Sequence, residues 1–265
     1  MTGRVHCTID GAVATVLLDN PGRRNAVSYT VFEELDTVIS DLSRRPDIHV
    51  VVLAGQGTDF SVGADLAAAP ENRTLRRDSV AGDTARLRQV STTLVDFHRM
   101  PQITVAAIDG ACAGAGLSLA AAADYRIASL RAVFNTAFVG AGLSGDLGGV
   151  WLINQILGGA RARELFLTPG KITAVQAHRL GLVTEVVVED VPLLDTADEF
   201  ASRLARSAPL ALRAMKANIL QAEHVSLGDY LVTEVDRMVH TFHSDDAREA
   251  AAAFLEKRAP SFAGR

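Results

Sequence analysis

"ITVAAIDGACAGAGLSLAAAAD", Ile103 to Asp124, decides how the chain is read. Its first residues form a continuous run rich in apolar and β-branched residues, the mark of a strand covered on both faces. Its end suits a short helix, and Gly110, Gly114 and Gly116 punctuate the join. A small-residue turn between a buried strand and a helix start exposes backbone N–H groups. The helix adds up to four unpaired donors and the positive end of its dipole. The same arrangement stands earlier: "HVVVLAG" (His49–Gly55) is a second buried strand, and "QGTDFSVGADL" follows it. For either turn alone, glycines that merely allow close strand–helix packing are explanation enough. Two such turns can bring two donors onto one oxygen, which is what stabilising a developing oxyanion requires. Losing one such donor typically raises a barrier by roughly 3 kcal/mol.

Outward from these turns, "AVATVLLDN" (Ala12–Asn20) predicts a strand ending in a Pro-Gly turn. A helix begins at Ser28, with Val31, Leu35, Val38, Ile39 and Leu42 at helical spacing, a capping box from Thr30 to Glu33, and Pro46 beyond its end. The polar stretch 67–100 lacks a regular period and predicts a mobile or partly helical segment. "YRIAS" and "AVFN" predict short strands, and "GGVWLINQILGG" a helix between glycine pairs. "ITAVQAHRL" predicts a helix stopped by Gly181, and 183–188 a strand. From Val191 to Lys257 the pattern is helical, its last helix capped at Ser244-Asp245-Asp246 and ended before Pro260. Strands and helices thus interleave to about residue 190, and helices alone follow. The expectation is an α/β core over 1–190 and a helical part over 191–265.

The chain has 265 residues, is 48% hydrophobic and 22% charged, and carries a net charge of −5. With no block of basic residues, neither nucleic acid nor an anionic membrane is an expected partner. Cys7 and Cys112 lie far apart without metal-type spacing, and the N-terminus has no signal-peptide pattern, so a reduced, cytoplasmic protein is expected. Gly110, Gly114 and Gly116 miss the register of a dinucleotide-binding loop. "GLSLA" around Ser118 is not a nucleophile elbow. His240 and His243 lack a third metal ligand.

Five stretches, taken together and in order, resemble the crotonase superfamily of enoyl-CoA hydratases and isomerases. They are "NPGRRNAV", "GTDFSVGADL", "IDGACAGAGLSLAAAADYRIAS", "AFVGAGLSGDLGG" and "AFLEKRAPSFAGR". The resemblance implies a crotonase (ClpP-like) fold of repeated ββα units in two near-perpendicular sheets. It also implies a helical C-terminal trimerisation region, and a homotrimer or dimer of trimers. The implied substrate is an acyl-CoA thioester; coenzyme A is part of the substrate, and neither a separate cofactor nor a metal is called for. The oxyanion donors would be the amides of Ala64 and Ala115. Arg24, Val62 and Asp65 would lie on the coenzyme A side, Asp65 reading also as a helix-start group. Phe254 and Lys257 would contact coenzyme A from a neighbouring subunit, and Phe138 and Leu143 would line the acyl pocket.

The resemblance also marks a departure. Where hydratases of the family carry two glutamates, this chain has Ser118 and Phe138. A serine has no useful basicity near neutrality and a phenylalanine none at all. Asp146, eight residues beyond Phe138, matches an aspartate found in double-bond isomerases of the family. One carboxylate can remove a proton from one carbon and return it to another, whereas as a plain structural group Asp146 would cap the next helix. Double-bond isomerisation through Asp146 is therefore the first expectation. An atypical hydratase with water held by Ser118 and Asp146 is the second, and a non-catalytic CoA-binding scaffold the third.

Overall fold

A computed structural model describes residues 3–188 and 190–265. The chain opens with a hairpin, β1 (Arg4–Asp10) and β2 (Val13–Asp19), followed by α1 (Tyr29–Ser43) and β3 (Val50–Gly55). Next come α2 (Val80–Arg99), β4 (Ile103–Ile108), β5 (Ala111–Ala113), α3 (Ala115–Ala122), β6 (Tyr125–Ser129) and β7 (Val133–Asn135). Then follow α4 (Gly149–Leu167), β8 (Ile172–Thr173), α5 (Ala174–Leu180) and β9 (Glu185–Val187). Four helices close the chain: α6 (Leu193–Ala205), α7 (Pro209–Ala222), α8 (Leu227–Phe242) and α9 (Asp245–Glu256).

A six-stranded sheet runs in the order β1-β2-β3-β4-β6-β9, parallel throughout except for the opening hairpin. A second sheet pairs β5 with β7 and β7 with β8. The continuous apolar runs of β3 and β4 are explained by burial on both faces. Val51, Leu53, Ala106 and Ile108 face one core cluster, with α1, α2 and α3. Val50, Val52, Val105 and Ala107 face another, closed by Ala197 and Ala201 of α6. Two sheets with helices packed against them agree with the α/β core that the sequence predicts, and α6 packs on the sheet rather than on the helices after it. Among the described residues no helix is long and apolar enough to cross a membrane.

Local detail departs from the sequence expectations where propensity lost to context. β1 was not expected: as an edge strand it keeps mostly exposed residues and shows no apolar period. α1 is capped by Ser28, whose hydroxyl accepts from Val31 N, so the Thr30–Glu33 box does not form. The irregular 67–100 stretch contains a 20-residue helix, α2, capped by Ser79 and ended by a basic turn, His98 and Arg99. α4 continues past the second glycine pair, with a kink at Gly158 (φ 75°, ψ 161°). α9 starts from Ser244 as expected, its hydroxyl accepting from Ala247 N.

One buried ion pair fastens the C-terminal helices to the core. Lys216 of α7 donates from Nζ to Gln102 O at 2.8 Å and to Asp124 Oδ2 at 2.7 Å. Asp124 Oδ2 also accepts from Thr104 N and Oγ1, at 2.7 and 3.0 Å, so the carboxylate joins β4 to the start of β6. Burial lowers the Lys216 pKa, and the charge of Asp124 opposes that shift. Removing one partner of a buried pair strands the other charge. Lys216→Met should therefore cost about 3 kcal/mol of unfolding free energy. Adding Asp124→Asn to it should recover much of the loss, and urea denaturation of the single and double variants checks both.

Candidate active site

The two glycine turns are zipped together by backbone. Phe60 N donates to Asp109 O at 2.7 Å, Ser61 N to Ala111 O at 3.0 Å, and Ala113 N to Ser61 O at 3.0 Å. Such closeness requires glycine. A Cβ on Gly116 would stand 2.5 Å from Ser61 O, and one on Gly63 would stand 2.9 Å from Ala113 O and 3.4 Å from Ala115 N. Gly63 is also in the left-handed region, at φ +96°.

The same contacts orient the Ala64 amide. Val27 N donates to Gly63 O at 2.8 Å, and Asp65 N to Val27 O at 2.9 Å. In a planar trans peptide the C=O and N–H point opposite ways, so with Gly63 O turned to Val27, the N–H of Ala64 points away from it. Ala115 is the first residue of α3; the left-handed turn falls on Gly114 (φ 51°), and alanine fits at 115 without strain. Among the described residues, neither Ala64 N nor Ala115 N donates to a protein group. Two free donors from two strands thus lie on adjoining turns. Both can serve an acceptor that the chain itself does not supply.

Ser118 stands one turn along α3 from Ala115. Its Oγ lies 3.4 Å from Gly114 O and 3.4 Å from Asp146 O, and it is almost wholly buried. A Cβ on Gly149 would sit 2.2 Å from that oxygen, so the start of α4 rests directly on Ser118. Asp146 does not cap α4: the cap position is Gly148 (φ 70°), and only the backbone carbonyl of Asp146 takes part, accepting from Gly149 N at 3.0 Å. Among the described residues Asp146 Oδ1 is buried without a hydrogen-bond partner. Burial alone pushes its carboxyl up to about 6. Asp146 borders a cavity of about 620 Å³ with Leu147, Trp151, Asn154, Arg163 and Phe166.

The remaining expected site residues are placed as follows. Arg24, Val62, Ala64 and Asp65 come together, because the 24–27 segment runs along 62–65, Val62 N donating to Arg24 O at 3.2 Å. The guanidinium of Arg24 forks onto Asp59 with both bonds at 2.9 Å, and Asp59 also accepts from Ala111 N at 2.7 Å. The Arg24 hydrogen bond holds the Asp59 carboxyl below the usual range. The Asp65 carboxylate accepts from Asn20 Nδ2 and Ala67 N, both at 3.1 Å, which is a turn-holding role. Phe138 is buried and stacks on Phe166, ring centroids 6.4 Å apart, whereas Leu143 is half exposed. Phe254 is 83% exposed on the last turn of α9, and Lys257 ends that helix in the left-handed conformation (φ 55°). Sequence reasoning missed Asp59, the brace of both turns, although it lies inside the "GTDF" motif. It also missed the aromatic contact of Trp151 with His98 and His224, which are far apart in sequence and carry no local pattern.

The enoyl-CoA hydratase/isomerase family model matches residues 8–265. The chain belongs to this family. It is 33% identical to 1,2-epoxyphenylacetyl-CoA isomerase of Escherichia coli, over 97% of each chain. It is 30% identical to short-chain-enoyl-CoA hydratase of Clostridium acetobutylicum, over 94% of this chain and 93% of that one. A peroxisomal Δ(3,5)-Δ(2,4)-dienoyl-CoA isomerase of Arabidopsis thaliana is 33% identical, over 96% and 94%. The crystal structure of an enoyl-CoA hydratase from Polaromonas sp. JS666 superposes with a TM-score of 0.91 at 32% identity, covering 98% of this chain and all of that one. This is therefore an enzyme of the crotonase superfamily, whose members act on acyl-CoA both as hydratases and as isomerases.

The buried carboxyl has a consequence for stability in this family member. A carboxylate with a folded-state pKa near 6 and an unfolded value near 3.8 binds its proton more tightly when folded. Its contribution therefore falls as pH rises through that window, and the penalty is complete above pH 6. Asp146→Asn should stabilise the protein at pH 7.5 by on the order of 2 kcal/mol and much less at pH 4. Urea denaturation at the two pH values checks the difference; equal gains at both would mean the carboxyl is not perturbed.

Proposed function

We propose that this enzyme moves a double bond along the acyl chain of a CoA thioester, with Asp146 as the only proton carrier. The amides of Ala64 and Ala115 receive the thioester oxygen. Asp146, as carboxylate, takes a proton from a chain carbon, and the electron pair delocalises onto the thioester oxygen as an enolate. The resulting carboxylic acid returns the proton to a different carbon, and the double bond has shifted with no net change in atoms. The two amides act on charge that exists only after proton removal, so they stabilise the transition state more than the substrate.

The observation that carries this reading is the carboxyl of Asp146: half-buried, its Oδ1 buried and unpartnered among the described residues, and raised to about 6, close to where a group must sit to act as base and then as acid. The hydratase reading asks Ser118 to hold a water. The buried hydroxyl of Ser118 instead faces two backbone carbonyls and the start of α4. Relatives named as isomerases stand beside one named as a hydratase at similar identity, so family membership admits the reaction and the choice rests on Asp146 and Ser118. For assembly we propose a homotrimer or a dimer of trimers. Leu227, Leu231, Val235, Met238, Val239 and Phe242 leave α8 with an exposed apolar face, a surface of the kind that copies of a chain bury.

Incubation with 2-enoyl-, 3-enoyl- and dienoyl-CoA esters in deuterated water tests the reaction. The expected result is deuterium incorporation into 3-enoyl- or dienoyl-CoA without the mass gain of added water. Asp146→Asn should lower that exchange at least 1,000-fold and leave acyl-CoA binding intact. Unchanged exchange in the variant, or net hydration of 2-enoyl-CoA, would overturn the assignment. In the wild-type enzyme kcat/KM should fall on the acid side with a midpoint near pH 6, as Asp146 takes up its proton.

A further inference from the structure

A second, larger cavity of about 840 Å³ lies between α2, α7 and the start of α4. Its walls include Leu94, Met100, Leu152, Ala217 and Leu220. Leu147, Gly148 and Trp151 line both this cavity and the one that Asp146 borders. These three residues are therefore the wall between the two spaces. Gly148 offers only backbone, and Leu147 is fixed by its left-handed backbone (φ 50°) and near-complete burial. The indole of Trp151 is the substantial side chain in the wall that also meets solvent, being 41% exposed.

That indole is held from the side of the larger cavity. The His98 ring, on the last turn of α2, meets it edge-on at 6.1 Å between centroids. The His224 ring, after α7, stacks on it at 5.5 Å and 29°. His98 is itself anchored, its Nδ1 lying 3.1 Å from Ala122 O, and its Nε2 is buried without a partner among the described residues. A ring clamped between two helices, at the junction of two cavities, bounds the space open to whatever occupies the first.

We propose that Trp151 is a specificity-determining partition: it confines the acyl group to the Asp146 cavity and excludes the distal chain from the apolar space behind. The substrate class that follows is an acyl group compact enough to end at the indole. The proposal rests on the reading of the Asp146 cavity as the acyl site, and its test is chosen to be readable without turnover.

The affinity of the intact enzyme for saturated acyl-CoA esters from four to sixteen carbons is measured by titration calorimetry, alongside turnover of the matching 3-enoyl esters. Trp151→Ala should leave the shortest esters within threefold of wild type. For longer ones it should add about fourfold in affinity per newly buried methylene, reaching at least tenfold in total. Ala217→Phe, which fills the larger cavity from the far wall, should cancel that gain in the double variant and change nothing in the wild-type background. A parallel chain-length profile for Trp151→Ala would overturn the partition. So would a loss of long-chain binding on Ala217→Phe alone, since the chain would then already occupy the larger cavity. If Trp151→Ala does not fold, Trp151→Leu gives the same comparison with less packing lost. Because binding is read without chemistry, failure of the partition stays distinct from failure of Asp146 as the proton carrier, which leaves the affinities unchanged.

Discussion

Everything at the site depends on the close backbone contact between the turn after β3 and the turn after β4. Ser61 and Cys112 pair as a single parallel bridge, and the flanking bonds from Phe60, Ser61 and Ala113 hold the two segments in register. Side chains are excluded from this contact, which is why Gly63 and Gly116 stand where any Cβ would meet a carbonyl. Asp59 braces the contact from outside by bonding both Arg24 and Ala111 N, so a charged pair at the rim holds a join made of main chain. The free amides at 64 and 115 are a by-product of that geometry. The hydrogen bonds that fix the turns use the neighbouring groups and leave these two over.

Such a site sets its electrostatics through what it lacks. Among the described residues Asp146 has no salt-bridge partner, no hydrogen bond to Oδ1, and no capping bond to the helix that follows. The first turn of α4 could have lowered its pKa, as helix N-termini do. Instead the Asp146 carbonyl, not the carboxylate, meets Gly149 N, and desolvation acts unopposed. The charged form is therefore costly in the folded state. The same burial that suits a group to exchanging protons reduces the stability of the protein that holds it.

Much of this was legible in the sequence, for a definite physical reason. A strand buried on both faces has to be apolar at nearly every position, so β3 and β4 announce themselves despite the bonded Thr104, and glycines forced by close approach mark the turns between strand and helix. Edge strand β1 carries no such mark, because most of its side chains face water. α2 was hidden by its polarity: only Val90, Thr93, Leu94 and Phe97 are buried, all in its second half. The capping of α1 by Ser28 rather than Thr30 turned on the path of the chain out of the 24–27 segment, which bonds to Gly63 and cannot be seen locally. Long-range partners were illegible in kind. Nothing near Lys216 announces Asp124, and nothing near Trp151 announces His98.

The serine at 118 shows how the parts constrain one another. Gly149 lies so close to Ser118 that a methyl group there would fall 2.2 Å from the hydroxyl oxygen. A glutamate at 118 would have to displace the start of α4, and with it Leu147 and the Asp146 turn, whose carbonyl already faces Ser118. Position 138 is likewise occupied, its ring buried against Phe166 of α4. A carboxylate introduced there would be buried among apolar groups and held neutral. At both positions a larger acidic side chain would press on α4, whose seat on Ser118 is also what places Asp146. In this chain the geometry that positions one carboxyl excludes the other two.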